Sequence, residues 1–251
     1  MPLPALLSLL LLPGRGVCGD LYVQAVEAVE QFKAETVFWE QLEIGRKIVL
    51  TKETRVLSEL EPWLTHPDRH IRGNTAFVFG GLGDPRGFEV IAAILRDRSD
   101  RPEGQGGACV IRGGGSSCWS LPLQIASDRY YAVHLLGELK DPKAVPILVS
   151  FLDDPDVNYK IPWALRSIGG KSAIQGLMSA LGSPSPEARV FAIEDLEDLQ
   201  VVEAIPALSP LLSDQAVSAY DRRGYVKDGI TVREAARTAI ATLQHVSSEA
   251  R

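Results

Sequence analysis

The sequence predicts an all-α fold: a right-handed alpha-alpha superhelix, a solenoid of about five to six stacked helix pairs. Three observations carry that prediction. Four windows of 24 residues align with one another without gaps. Their apolar columns fall three and four positions apart, the spacing of one helical face. Turn-forming residues stand at one fixed place between two such stripes.

The windows run from Arg72 to Leu95, Arg129 to Leu152, Asn158 to Leu181 and Arg189 to Leu212, with starts 57, 29 and 31 residues apart. Phe79, Leu136, Leu165 and Leu196 form one column, and Leu82, Leu139, Ile168 and Leu199 another three positions on. Together they mark a first helix. Gly83-Asp84-Pro85, Lys140-Asp141-Pro142 and Gly169-Gly170 supply the turn. Phe88, Val145, Ile174 and Ile205 then open a second stripe, continued by Ile91, Leu148, Leu177 and Leu208 and by Leu95, Leu152, Leu181 and Leu212. Gly87, Ala144, Ala173 and Ala204 start that second helix with small residues, where it must approach its partner closely. Such a helix pair is too short to bury its own apolar face, and stacking neighbours buries it.

The flanks extend the pattern. Residues 20–36 read as an N-terminal capping helix, and Phe38 to Leu64 as an earlier, divergent helix pair. Arg233 to Leu243 matches a further first helix, so the solenoid is expected over 37–245 with a flexible tail at 246–251. Pro162 falls inside a first helix and is expected to weaken or kink it.

A period of about 30 residues with these columns resembles HEAT repeats, specifically the short HEAT-like repeats first associated with phycobilisome lyases. The resemblance runs from about Phe38 to Leu243 and implies an armadillo-like helical scaffold. Arg72, Arg129, Arg189 and Arg233 share one column, broken by Asn158, and Asp84 and Asp141 share another. The resemblance implies that these residues form a hydrogen-bonded ladder between neighbouring units. It speaks to fold more than to function. HEAT-like deoxyhypusine hydroxylases hold iron through His-Glu dipeptides, and this chain has none, which excludes that activity.

Composition is ordinary for a globular chain of 251 residues: 45% apolar, 23% charged, net charge −6. An acidic body disfavours nucleic acid as a partner. Ala5 to Leu12 is an uncharged apolar run, too short to span a bilayer and of a length suited to the core of a signal peptide. Residues 1–19 are therefore expected to be a leader and the protein exported, periplasmic or secreted; without a leader it would be cytoplasmic. Cys109 and Cys118 lie nine positions apart in a Gly-rich segment and could close a disulfide loop in an oxidising compartment.

Two insertions break the repeat, near 98–126 and 215–229. Both follow a second helix, which places them on the same edge of the solenoid. Both are slightly basic on an acidic body. The first carries Arg98, Arg101, Arg112 and Trp119, and the second Tyr220, Arg222, Arg223 and Tyr225. Arg, Tyr and Trp dominate interface energies, so these eight residues are the candidate binding set.

Catalytic motifs are not found. Gly170-Lys171-Ser172 echoes the end of a phosphate loop but lacks the earlier glycine and the preceding strand. There is no G-x-S-x-G elbow, and no two of His66, His70, His134 and His245 stand at metal-binding helical spacing without a proline between them. No catalytic, cofactor-binding or metal residue is assigned, and no cofactor is expected. The expected function is a non-catalytic scaffold or adaptor, with another protein as partner and no stable membrane span. The alternative is a repeat-fold enzyme or phycobilin-lyase-like chromophore lyase, with a ligand pocket near the first insertion.

Overall fold

A computed structural model describes residues 17–99, 110–112, 115–117, 121–221 and 224–249, with side chains at 21–99, 127–221 and 224–249. It is an all-α helical solenoid. Helix α1 (Val17–Ala34) leads into α2 (Phe38–Thr51), the short α3 (Leu57–Leu60), α4 (Arg69–Gly81) and α5 (Pro85–Arg96). Then come α6 (Leu121–Leu139), α7 (Ala144–Val149), α8 (Ile161–Ile168), α9 (Gly170–Ala180), α10 (Pro186–Asp198), α11 (Ile205–Leu208) and α12 (Val232–Glu249). The first helices α2, α4, α6, α8, α10 and α12 pack each on the next, forming one file through the molecule. Short α3 and α11 are extended on both sides by 3₁₀ turns, so they serve as second helices of their units.

Local chemistry sets the helix starts. Asp68 accepts from the His70 and Ile71 amides at 2.8 and 3.2 Å and caps α4. Ser185 accepts from the Ala188 amide at 3.1 Å and caps α10. Such caps satisfy amides that no helical carbonyl reaches. Pro162 produces no kink. It sits in the first turn of α8, where its missing N–H costs nothing, and the helix is simply shorter than the first helices α6 and α10 on either side.

Phe79, Leu136, Leu165 and Leu196 are fully buried, as are Ile91, Leu148, Leu177 and Leu208. The column nearer the turn is shallower: Leu82, Leu139 and Ile168 are half-buried and Leu199 is exposed. Gly87 explains the small-residue column. A Cβ there would lie 2.2 Å from the Ala76 carbonyl oxygen and 2.2 Å from the Gly80 nitrogen, so the two helices of this unit touch backbone to backbone.

The arginine column binds consecutive units together. Arg129 is wholly buried and donates to the Leu95 carbonyl at 2.9 Å, at the end of the previous unit's second helix. Arg233 donates to Leu212 O at 2.8 Å, Arg189 to Ser183 O at 2.6 Å, and Arg72 to His66 O. Each arginine thus satisfies a carbonyl that a helix or turn end leaves open. The aspartates do not join this ladder. Asp84 and Asp141 accept from the Arg86 and Lys143 amides inside their own units.

The insertions carry the strands. β1 (Val110–Arg112) pairs antiparallel with β2 (Gly115–Ser117). β3 (Val217–Asp221) pairs antiparallel with β4 (Gly224–Thr231), bringing Tyr220 opposite Tyr225, with a register shift between Ser218 and Tyr220. β4 runs directly into α12, which continues to Glu249 through most of the stretch expected as a tail. Among the described residues no helix is long and apolar enough to cross a membrane.

Candidate functional site

The main recess is an open groove of about 1560 Å³. Its walls come from three successive first helices and the second hairpin. Tyr130 and Glu138 stand on α6, and Lys160, Trp163 and Arg166 on α8 and the turn before it. Phe191 and Asp195 stand on α10, and Tyr220, Asp221 and Gly224 close one side. Tyr159, from the turn before α8, also contributes.

Packing places the aromatic floor. Gly137 leaves room on α6 for the Trp163 indole: a Cβ there would lie 2.8 Å from Trp163 Cζ3 and 2.9 Å from Ala164 Cα. Trp163 stacks on His134 with ring centroids 4.6 Å apart and planes 15° apart. His134 in turn stacks on Tyr131 at 6.1 Å. Tyr130 and Tyr159 stack at 5.5 Å. Lys160 holds its Nζ 3.5 Å from the centre of the Trp163 ring and 5.3 Å from that of Tyr130, within cation–π range.

The charges are unevenly satisfied. Arg166 is held by Asp195 at 2.8 Å and Asp198 at 3.0 Å. Glu138 accepts from Arg46 Nε at 3.1 Å and approaches His134 Nε2 at 4.0 Å. Burial pulls the Lys160 ammonium down to about 8, against the opposing pull of the Glu138 carboxylate. Burial, followed by the field of Lys160, depresses His134 to about 4, so its imidazole is neutral at pH 7. Burial raises the Tyr130 and Tyr159 phenols, so they stay protonated there. The groove is therefore a π-rich surface with one partly desolvated ammonium. Among the described residues no group of His, Cys, Asp and Glu is arranged to hold a metal ion.

Of the candidate set the structure describes the side chains of Arg98, Tyr220 and Tyr225. Tyr220 lies on the groove wall, and Tyr225 packs edge-on against it at 5.9 Å while remaining 70% exposed. Arg98 pairs with Asp154 at 2.6 Å. Arg101, Trp119, Arg222, Arg223, Cys109, Cys118 and the Arg112 side chain lie outside the described residues. Among the described residues it is the second insertion, not the first, that lines the groove.

Lys160, Trp163, Tyr130 and Tyr159 were missed by motif reasoning. A signal existed in the repeat alignment. Asn158 breaks the arginine column in the unit that supplies the floor, and Lys160 and Trp163 share a helical face there, three positions apart.

Comparison with known proteins agrees with this architecture. A family model described as HEAT repeats matches residues 126–187. A bilin biosynthesis protein, PecE, from Nostoc sp. is 30% identical over 167 residues, covering 65% of this chain and 56% of that protein. The phycocyanobilin lyase subunit alpha of Picosynechococcus sp. is 32% identical over 128 residues, covering 43% of this chain and 48% of that protein. The chain carries HEAT repeats and is similar to proteins of the phycobilisome-lyase type. The HEAT-repeat chain spans about half the length of these curated relatives. An engineered protein of known structure aligns over 91% of this chain and 93% of its own, at TM-score 0.44 and 15% identity.

These relatives overturn the expectation of a non-catalytic scaffold or adaptor. They are named for bilin biosynthesis and for a phycocyanobilin lyase. The physical reason is in the groove: sequence patterning sees the repeat surface but not a recess assembled across three units.

Proposed function

We propose that this chain is a chromophore lyase-type protein that holds a bilin in the groove between α6, α8 and α10 and passes it to an acceptor protein. The observation that carries this reading is the groove's stack of π faces, in a chain similar to bilin-handling proteins. A bilin is a linear tetrapyrrole, long, conjugated and largely flat. Tyr130, Tyr159 and Trp163 give the groove an aromatic lining against which such a ligand can pack.

The dimensions support transfer as well as binding. Pockets for single small ligands hold roughly 300–1,000 Å³. The groove, at about 1560 Å³ and open to solvent, leaves space for a segment of the acceptor beside the chromophore. A lyase acting in the direction of addition joins a thiol to a carbon–carbon double bond. The S–C bond forms, the thiol proton ends on the neighbouring carbon, and no redox partner is consumed. The chain's own part is to orient the tetrapyrrole and limit water around it.

The test is transfer. The protein is incubated with a bilin and a cysteine-bearing phycobiliprotein apoprotein, then denatured and run on a gel read by bilin fluorescence. The reading expects covalent fluorescence on the acceptor above the rate without this chain, reduced at least tenfold by Trp163→Leu. Acceptor labelling at the uncatalysed rate counts against it.

A further inference from the structure

Among the described residues three cations line the groove, and one of them is both desolvated and without a carboxylate. Arg166 is neutralised by Asp195 and Asp198. Lys140 is exposed at a turn, where water satisfies it. Lys160 is half-buried, faces the groove, and is held by the rings of Trp163 and Tyr130 rather than by an anion. The nearby carboxylate, Glu138, is already engaged by Arg46.

We infer that Lys160 is the anchor for a carboxylate of the groove's ligand. This rests on the bilin reading, since a bilin carries propionate carboxylates on a conjugated body. The physical argument is one of cost. A partly buried ammonium without an anion loses hydration that cation–π contact replaces only in part. Its proton is correspondingly loosened. An incoming carboxylate relieves that cost and gains a charge-assisted hydrogen bond in a partly water-excluded site. Arg166 cannot do the same without giving up two ion pairs.

The competing role is structural, with Lys160 present only to clamp Trp163 and Tyr130. Lys160→Met separates the two, because Met keeps the packing on the indole and removes only the charge. The probes are biliverdin as the free acid and biliverdin dimethyl ester, titrated against the full chain at pH 7 and followed by visible absorbance. Wild type is expected to bind the acid roughly tenfold or more tightly than the ester. Lys160→Met is expected to bind acid and ester alike, at the wild-type ester affinity, with a melting temperature equal to or above wild type. Lys160→Arg is expected to restore the preference for the acid. Equal binding of acid and ester by wild type, or a preference that survives in Lys160→Met, overturns the anchor and leaves the groove reading standing. Absence of binding by either probe overturns the groove reading and the anchor with it.

Discussion

Lys160 places its ammonium 3.5 Å from the centre of the Trp163 indole, and burial holds its pKa near 8. The unfolded chain would keep that proton to about 10.4. Between the two values the unfolded state binds more protons than the folded state, so stability rises with pH in that window. Urea titrations at pH 7.5 and 9.5 are expected to show this rise in wild type. It should shrink in Lys160→Met, whose stability at pH 7.5 should equal or exceed that of wild type. A variant less stable at pH 7.5, with an unchanged pH response, would show that the charge is not under strain.

His134 acts in acid. Its folded pKa of about 4 lies below the usual 6.5, so from pH 6.5 down to 4 the unfolded chain gains a proton that the folded chain refuses. Stability should fall across that window by about 1–2 kcal/mol from this residue, a value reduced for its partial exposure. His134→Phe keeps a ring against Trp163 and should flatten the slope. The check is a comparison of melting curves for both proteins at pH 4.5 and 7.

Gly137 is the contact that lets α8 lie against α6. In an exposed helix Gly→Ala would stabilise by roughly 0.5–1 kcal/mol. Here the added Cβ meets Ala164 Cα at 2.9 Å, a backbone neighbour that cannot rotate away. Overpacking should win, and Gly137→Ala should cost about 1–3 kcal/mol and loosen the Trp163 floor. Thermal denaturation and Trp fluorescence read both effects.

Arg129 ties two repeat units through a buried network. It reaches the Leu95 carbonyl and Asp156, each at 2.9 Å, and it pairs with Asp154. Arg129→Met would leave Asp154 buried without its main partner. A loss of about 3–5 kcal/mol is expected by equilibrium denaturation. A loss below 1 kcal/mol would mean that water reaches Asp154 readily.

Much of the fold was legible because a repeat shows its core several times over. Leu136, Leu165 and Leu196 identify one buried column by agreeing with each other, and all three are fully buried. Arg129 was legible for the same reason, as a charge recurring at one register. The candidate site was less so. Tyr220 could be picked out as an aromatic in an insertion, and it does reach the groove. Lys160 and Trp163 look like ordinary variation in a single unit. Their meaning arises only when α6, α8 and α10 are stacked and Gly137 admits the indole, relations that span residues far apart in the chain. Asn158, the one break in the arginine column, was the local trace of that departure.

The most direct test of the bilin groove is a titration of the full chain into a fixed concentration of free-acid bilin, followed by the bilin's visible absorbance, for wild type and Trp163→Leu. The groove reading predicts a saturable spectral change with wild type and an affinity at least tenfold weaker for Trp163→Leu. A bilin spectrum untouched by wild-type protein, or identical titrations for the two proteins, would contradict it.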